Sequence, residues 1–232
     1  MIYLEKKGMI LNMDKKVSVI MPTYNDCKSI SETLDSLICQ TYKNWELVIV
    51  DDGSIDETRK VIENYKKEKD KEDKIKYIYQ ENGDQLNAIL NGLQYLKGDY
   101  IYLLHSDDLL ASNDVFEKCI NYMEENKDCD ALTADLTIID ENSNVTGIQK
   151  IKKYNRKDYI LAVQELWLGR NLYVDFAFHR AETFLNQVKN NYVIWNTPYW
   201  IDFNCDFPVM LNVHKASFNI LKYRIHSRKL CK

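Results

Sequence analysis

Four short apolar runs, each closed by polar residues and followed by a segment of helical period, fill the first 125 residues. The runs are VSVIM (17–21), ELVIV (46–50), IKYIY (75–79) and YIYLL (100–104). Runs of this length and β-branched or aromatic content predict buried strands. Between them, Ser29 and Glu32 form a capping-box pattern, followed by Ile30, Leu34, Leu37, Ile38 and Tyr42 on one helical face. Ser54 and Glu57 repeat the pattern ahead of Val61, Ile62 and Tyr65. Residues 84–96 carry Leu86, Ile89, Leu90 and Leu93 at helical spacing, and Lys97-Gly98 closes that helix. Ser112 is placed to cap another, with Val115, Phe116, Cys119, Ile120 and Met123 inward. Strand and helix alternating in this way predict right-handed crossovers and an α/β fold with a mostly parallel sheet. The ligand crevice of such a sheet lies at the carboxyl ends of its strands. No GxGxxG follows the first strand, which disfavours a dinucleotide site.

Past Asp130 the rhythm becomes less regular. Residues 131–140 and 145–151 read as strands joined by a hairpin at ENSN (141–144). Residues 158–168 and 181–190 read as helices, 172–178 as a strand, 198–211 as a helix interrupted at Pro208, and 218–223 as a last strand. No repeat, linker or low-complexity stretch divides the chain. Residues 1–14 lack a clear period and contain Met9 and Met13. They are either an N-terminal extension or lie ahead of a start at Met13.

A net charge of −4 argues against nucleic acid as the main partner, since no basic excess is available to neutralise phosphates. The last residues, 222–232, are basic and suit a solvated tail, a weak membrane-surface contact or a diphosphate contact. Six cysteines without CxxC spacing read as free thiols of a reducing compartment, hence a cytoplasmic setting. No apolar run approaches the roughly 18 residues that a membrane span requires, and no signal peptide is visible.

The chemistry collects where strands stop. Thr23-Tyr24-Asn25, Asp51-Asp52 and Ser106-Asp107-Asp108 each follow a predicted strand, so a parallel sheet brings them to one edge. Asp202 is a fourth polar position, in the later half. Adjacent carboxylates at a strand end suit a hard divalent cation that keeps phosphate as a co-ligand. An aromatic such as Tyr24 can stack on a base, and Asp52 can accept from a base N–H or a ribose hydroxyl. The set therefore suits a metal-bound nucleoside diphosphate. Asp51-Asp52-Gly53-Ser54 also reads as a turn and helix cap.

VSVIMPTYN (17–25), ELVIVDDGS (46–54) and GDYIYLLHSDD (98–108) resemble the family 2 glycosyltransferases over roughly residues 16–125. YWID (199–202) and YRIH (223–226) extend the likeness more weakly. The resemblance implies a GT-A fold: a Rossmann-like, mostly parallel central sheet flanked by helices, with a less regular α+β C-terminal part. It implies one domain over 15–232, with 15–125 on the nucleotide and 126–232 on the acceptor. It further implies transfer of a hexosyl or N-acetylhexosaminyl group from a nucleotide sugar, usually a UDP-sugar, with inversion. Thr23, Tyr24, Asn25, Asp52, Ser106 and Asp107 would bind the nucleotide. Asp107, Asp108 and His226 would hold or approach Mg²⁺ or Mn²⁺, and Asp202 would be the general base. The implied acceptor is a glycan or lipid-linked hydroxyl in surface polysaccharide or glycan assembly, with peripheral membrane contact.

Three departures stand out. His105 occupies the position where that family's metal signature usually begins with Asp or Asn. The segment NGDQLNA (82–88) lacks the Arg often found there, and Asn87 takes the place of a polar residue seen in some members. Asp206 lies one helical turn beyond Asp202 and competes with it as base. Asp175 and His179 could line an acceptor pocket, and Trp167, Trp195 and Trp200 could stack on a sugar or simply pack. The rival readings are a degenerate GT-A domain that binds a nucleotide sugar or a partner protein without turnover, and a nucleotidyltransferase on a similar sheet.

Overall fold

The computed structural model describes residues 14–151, 177–190 and 213–226. The four predicted strands are β1 (Val17–Thr23), β2 (Trp45–Asp52), β3 (Ile75–Gln80) and β4 (Tyr100–Leu103). All run parallel, with β1 between β4 and β2 and with β3 outside β2. The register sets Thr23 opposite Asp51 and Asp52 opposite Gln80, so the polar residues that end these strands emerge along one edge.

β1 is buried throughout, and its side chains alternate between two packed faces. Val17, Val19 and Met21 meet apolar residues of α1 (Ile30–Ile38), α2 (Thr58–Glu68) and α4 (Val115–Glu125). Ile20 faces the other way, against Ile89 and Leu93 of α3 (Gln85–Leu93) and Phe184 of α5 (Ala181–Asn190). Gly98 is needed where the chain enters β4. A Cβ there would lie 2.6 Å from the Ser18 backbone nitrogen and 2.7 Å from the Lys16 carbonyl oxygen.

Some of the later residues widen the same sheet, and others form a smaller second one. β6 (Ala131–Thr133), β9 (Phe178–Arg180) and β10 (Val213–Lys215) complete seven strands among the described residues, in the order β10-β6-β9-β4-β1-β2-β3. β9 is antiparallel to β4 and β6, and the other pairings are parallel. A smaller sheet joins β5 (Leu109–Leu110), β11 (Leu221–Arg224), β7 (Leu136–Ile139) and β8 (Val145–Gln149) in the order β5-β11-β7-β8. It lays Arg224 beside the loop that leaves β4.

Several local expectations change. Residues 131–140 are not one strand: the chain leaves the large sheet at Asp135, whose carboxylate takes Lys215 Nζ at 2.6 Å and the Ile151 N–H at 2.8 Å. The hairpin at 141–144 forms as expected, with Asp140 accepting from the N–H groups of Asn142 and Asn144. Neither capping box forms. Glu32 is drawn away to Arg224, and Ser54 accepts from the Asn25 N–H while Asp56 takes the Thr58 N–H. Ser112 bonds to the Asp114 carboxylate and caps no helix N–H. α3 ends at Leu93, not 96. β5 and β10 had no sequence signal. The predicted helices at 158–168 and 198–211, most of the predicted strand at 172–178, and Asp175, Asp202, Asp206, Trp167, Trp195 and Trp200 lie outside the described residues, as do residues 1–13 of the extension. Cys27, Cys39, Cys119 and Cys129 are free thiols. Among the described residues no helix is long and apolar enough to cross a membrane.

Candidate active site

The loop after β1 is locked to the loop after β2. Asn25 takes a left-handed backbone conformation (φ 57°), which Asn tolerates better than most residues. Its N–H donates to Ser54 Oγ and its Oδ1 accepts from the Ile55 N–H, each at 2.9 Å. Gly53 (φ 83°) lets the β2 loop turn against Asn82, where a Cβ would lie 2.8 Å from the Asn82 nitrogen. Asp51 is fully buried, accepting from the Ser54 N–H and the Tyr77 hydroxyl. Burial and the Asp51 carboxylate push the Tyr77 phenol well above its usual range, which keeps it a donor. Asp52 is 5% exposed, and its Oδ1 accepts from Gln80 Nε2 at 2.8 Å and the Gly83 N–H at 2.9 Å. Thr23 is buried, whereas Tyr24 is half exposed at 49% and stands where a flat ring can stack on it.

Asp26, which the sequence reading passed over, joins this edge to the loop after β4. Its Oδ2 accepts from Thr23 Oγ1, from the Tyr24 N–H and from Ser106 Oγ. Ser106 is held a second time, since its carbonyl accepts from Thr33 Oγ1 at 2.9 Å. A polar residue directly after the left-handed Asn25 was the only sequence signal for Asp26.

The carboxylates beyond Ser106 are held from the far end of the chain. Arg224 is 4% exposed. Its backbone N–H donates to Asp108 Oδ1 at 2.8 Å, and its Nε to the Asp107 carbonyl at 2.6 Å. Nη1 reaches the Asp140 and Glu141 carbonyls and Ser143 Oγ, while Nη2 pairs with Glu32 at 2.8 Å. One side chain thus fixes the β4 loop, the β7–β8 hairpin and α1. His226, two residues on, places Nε2 2.7 Å from Asp107 Oδ2. Asp107 is partly exposed and Asp108 fully buried.

His105, Asp107 and Asp108 offer donor atoms within 4.8 Å of one another. Ligands on opposite sides of a small divalent cation stand about 4.2 Å apart for bonds of about 2.1 Å. The spacing and the carboxylate-rich donor set therefore fit such an ion. Burial lowers the affinity of His105 for a proton, against the opposing pull of Asp107 and Asp26. The uncharged imidazole is the form that binds metals.

Two further polar residues singled out in the sequence lie apart from this cluster. His179 lies in β9 opposite Ile101, toward the start of β4, 2% exposed with its ring 4.9 Å from that of Phe184. The antiparallel insertion of β9 puts it in the sheet interior, not beside the cluster. Asn87 is spent on its own helix start, bonding to Asp84 and to the Gly83 carbonyl.

The family model described as Glycosyl transferase family 2 matches residues 18–184. The chain belongs to family 2 of the glycosyltransferases. An uncharacterized glycosyltransferase of Rickettsia typhi is 40% identical over 114 residues, covering 48% of this chain and 34% of the relative. The chain thus spans about a third of the length of that curated relative. Among solved structures, Staphylococcus aureus TarS 1-349 in complex with UDP-GlcNAc gives a TM-score of 0.67 at 19% identity, over 92% of this chain and 59% of that one. The mannosyltransferase PcManGT from Pyrobaculum calidifontis, in complex with GDP-Man and Mn²⁺, gives 0.55 at 18% identity, over 74% and 46%. These likenesses establish the GT-A fold. The family match takes in the three strand-end loops, while Arg224 and His226 lie beyond it.

Proposed function

We propose that the chain transfers a hexosyl or N-acetylhexosaminyl group from a UDP-sugar to an acceptor hydroxyl with inversion, at the cytoplasmic face of a membrane or in the cytoplasm. The observation that carries this reading is the convergence of Tyr24, Asp52 and Asp107 from three strand ends, with His226 joining Asp107 from the far end of the chain. Tyr24 offers a stacking face for the base, and Asp52 a carboxylate for a base N–H or ribose hydroxyl. Asp107, with Asp108, His105 and His226 around it, would hold the cation. A bound Mg²⁺ or Mn²⁺ supplies charge neutralisation for the departing diphosphate. Asp202, assigned by resemblance, takes the proton of the acceptor hydroxyl as that oxygen bonds to the anomeric carbon. The bond from that carbon to the diphosphate oxygen breaks, and the nucleoside diphosphate leaves. The UDP-GlcNAc-bound and GDP-Man-bound neighbours support a nucleotide-sugar donor. The acceptor is proposed to be a glycan or lipid-linked hydroxyl of surface polysaccharide assembly.

Titration with UDP-sugars with and without Mn²⁺, followed by product analysis over a panel of acceptors, tests the reading. Metal-dependent binding with turnover is expected. Asp202→Asn should lower transfer by about 10²–10⁴-fold while leaving UDP affinity nearly unchanged. No binding of any nucleotide sugar would overturn the reading. Binding without turnover would favour the degenerate domain, for which His105 is the specific argument.

A further inference from the structure

The cation site differs from an all-oxygen site at His105, and the surroundings of that ring have a direction. Nδ1 faces the carboxylates, 3.9 Å from Asp108 Oδ2. Nε2 points the other way and lies 2.9 Å from the side-chain amide nitrogen of Gln85. Gln85 is the first residue of α3, a helix seated on β1 through Ile89 and Leu93. The nitrogen and oxygen of a side-chain amide are assigned from their partners, and turning the Gln85 amide presents its oxygen to an Nε2–H. An imidazole that ligates through one nitrogen needs this arrangement, with the other N–H held by an outer acceptor that fixes the tautomer and the ring plane.

We propose that His105 is a nitrogen ligand of the cation through Nδ1, with Gln85 as its positioning residue. The site then favours later first-row divalent cations, Co²⁺ most and Mn²⁺ less, over Mg²⁺. The proposal rests on the metal-assisted reading above and sharpens it. Mg²⁺ is hard, keeps its waters and demands oxygen donors in near-ideal octahedral geometry. Imidazole affinity rises along the first row, so exchanging a carboxylate position for His weakens Mg²⁺ relative to Co²⁺. The donor atoms that lie within 4.8 Å of one another belong to His105, Asp107 and Asp108, and His226 reaches the site by hydrogen-bonding Asp107 Oδ2 through Nε2.

The test uses the full chain, Co²⁺, Mn²⁺ and Mg²⁺ titrations with and without UDP, and pulsed electron paramagnetic resonance of the Mn²⁺ form to detect directly bound nitrogen. The wild type should show a nitrogen coupling that persists in His226→Asn and disappears in His105→Asp. The Co²⁺/Mg²⁺ affinity ratio should fall at least about tenfold in His105→Asp. Gln85→Leu, at an exposed position, should weaken Co²⁺ about tenfold with an unchanged melting temperature, which keeps the proposal testable if His105→Asp folds poorly. An unchanged coupling and ratio in His105→Asp, or full Co²⁺ affinity in Gln85→Leu, would overturn the proposal while leaving a metal site in place. Failure of all three cations to bind with or without UDP would overturn it together with the metal-assisted part of the proposed function.

Discussion

The two ends of the crevice are held by different means. At the proposed nucleoside end the contacts join loops about thirty positions apart: Asn25 to Ser54 and Ile55, Asp52 to Gln80 and Gly83. At the cation end the decisive contacts span more than a hundred positions, from Arg224 to Asp107 and Asp108, and 192 from Arg224 to Glu32. The nucleoside end follows from strand register once β1, β2 and β3 pair. The proposed cation end needs a separate post, because beyond β4 Leu104 still donates to the Ile20 carbonyl and Ser106 is held by Asp26 and Thr33, but Asp107 and Asp108 are left to find partners elsewhere. A buried guanidinium that satisfies several carbonyls at once supplies that support, and its fixed fork makes it intolerant of replacement.

Arg224→Met is the hardest blow to this division. It leaves the Asp107, Asp140 and Glu141 carbonyls without their donor, and should cost about 3 kcal/mol, or about 8 °C in melting temperature. Calorimetric UDP titration should then show the Mn²⁺-dependent gain in affinity gone and metal-free binding little changed. Equal losses in both would mean the two ends form one unit. Asp52→Ala probes the other end: UDP binding should weaken about tenfold, by the same factor with and without Mn²⁺. A loss confined to the Mn²⁺ titration would break the comparison.

Smaller effects sharpen it. Burial raises the Asp56 carboxyl, but hydrogen bonds from Thr58 and Cys27 outweigh it and bring the pKa down to about 2 from 3.8. A depressed carboxyl stabilises the fold above its unfolded pKa and loses that contribution as pH falls through the folded value. Acid unfolding of the wild type should therefore include a component between about pH 4 and pH 2 that Asp56→Ala lacks. At neutral pH that variant should cost about 1 kcal/mol, since it removes the acceptor of the Thr58 and Cys27 N–H groups. Glu32→Gln should matter least, about 0.5 kcal/mol by chemical denaturation, since Glu32 is 47% exposed and Arg224 keeps its other partners.

The same division explains what the sequence could reveal. β1, β2 and β4 are legible because strands buried on both faces are continuous apolar runs, whereas β3, at the edge of the described sheet with only Ile75 buried, shows through its β-branched and aromatic content. Their loops could be placed on one edge from that alone. The capping boxes at Ser29 and Ser54 were misleading because their side chains are claimed from outside the helix, Glu32 by Arg224 and Ser54 by Asn25. Local pattern does not contain such competitors. Asp26 was hidden for a related reason: an aspartate in a strand-to-helix loop looks like any turn residue until Ser106 is beside it. β5 and β10, of two and three residues, exist only through their partners and leave no periodicity to read. Arg224 and His226 were visible as part of YRIH, but the buried role of the arginine was not.

The reach of Arg224 also sets an order of events during synthesis. A chain emerging from the ribosome can pair β1, β2 and β3 and close the loops that follow β1 and β2 after about eighty residues, since domains begin to form from the N-terminal side. Asp107 and Asp108 must wait for more than a hundred further residues before their post arrives. Through that interval Asp107 and Asp108 lack the contacts that Arg224 gives them, so a cation site built on these carboxylates would be completed in the last stage of folding.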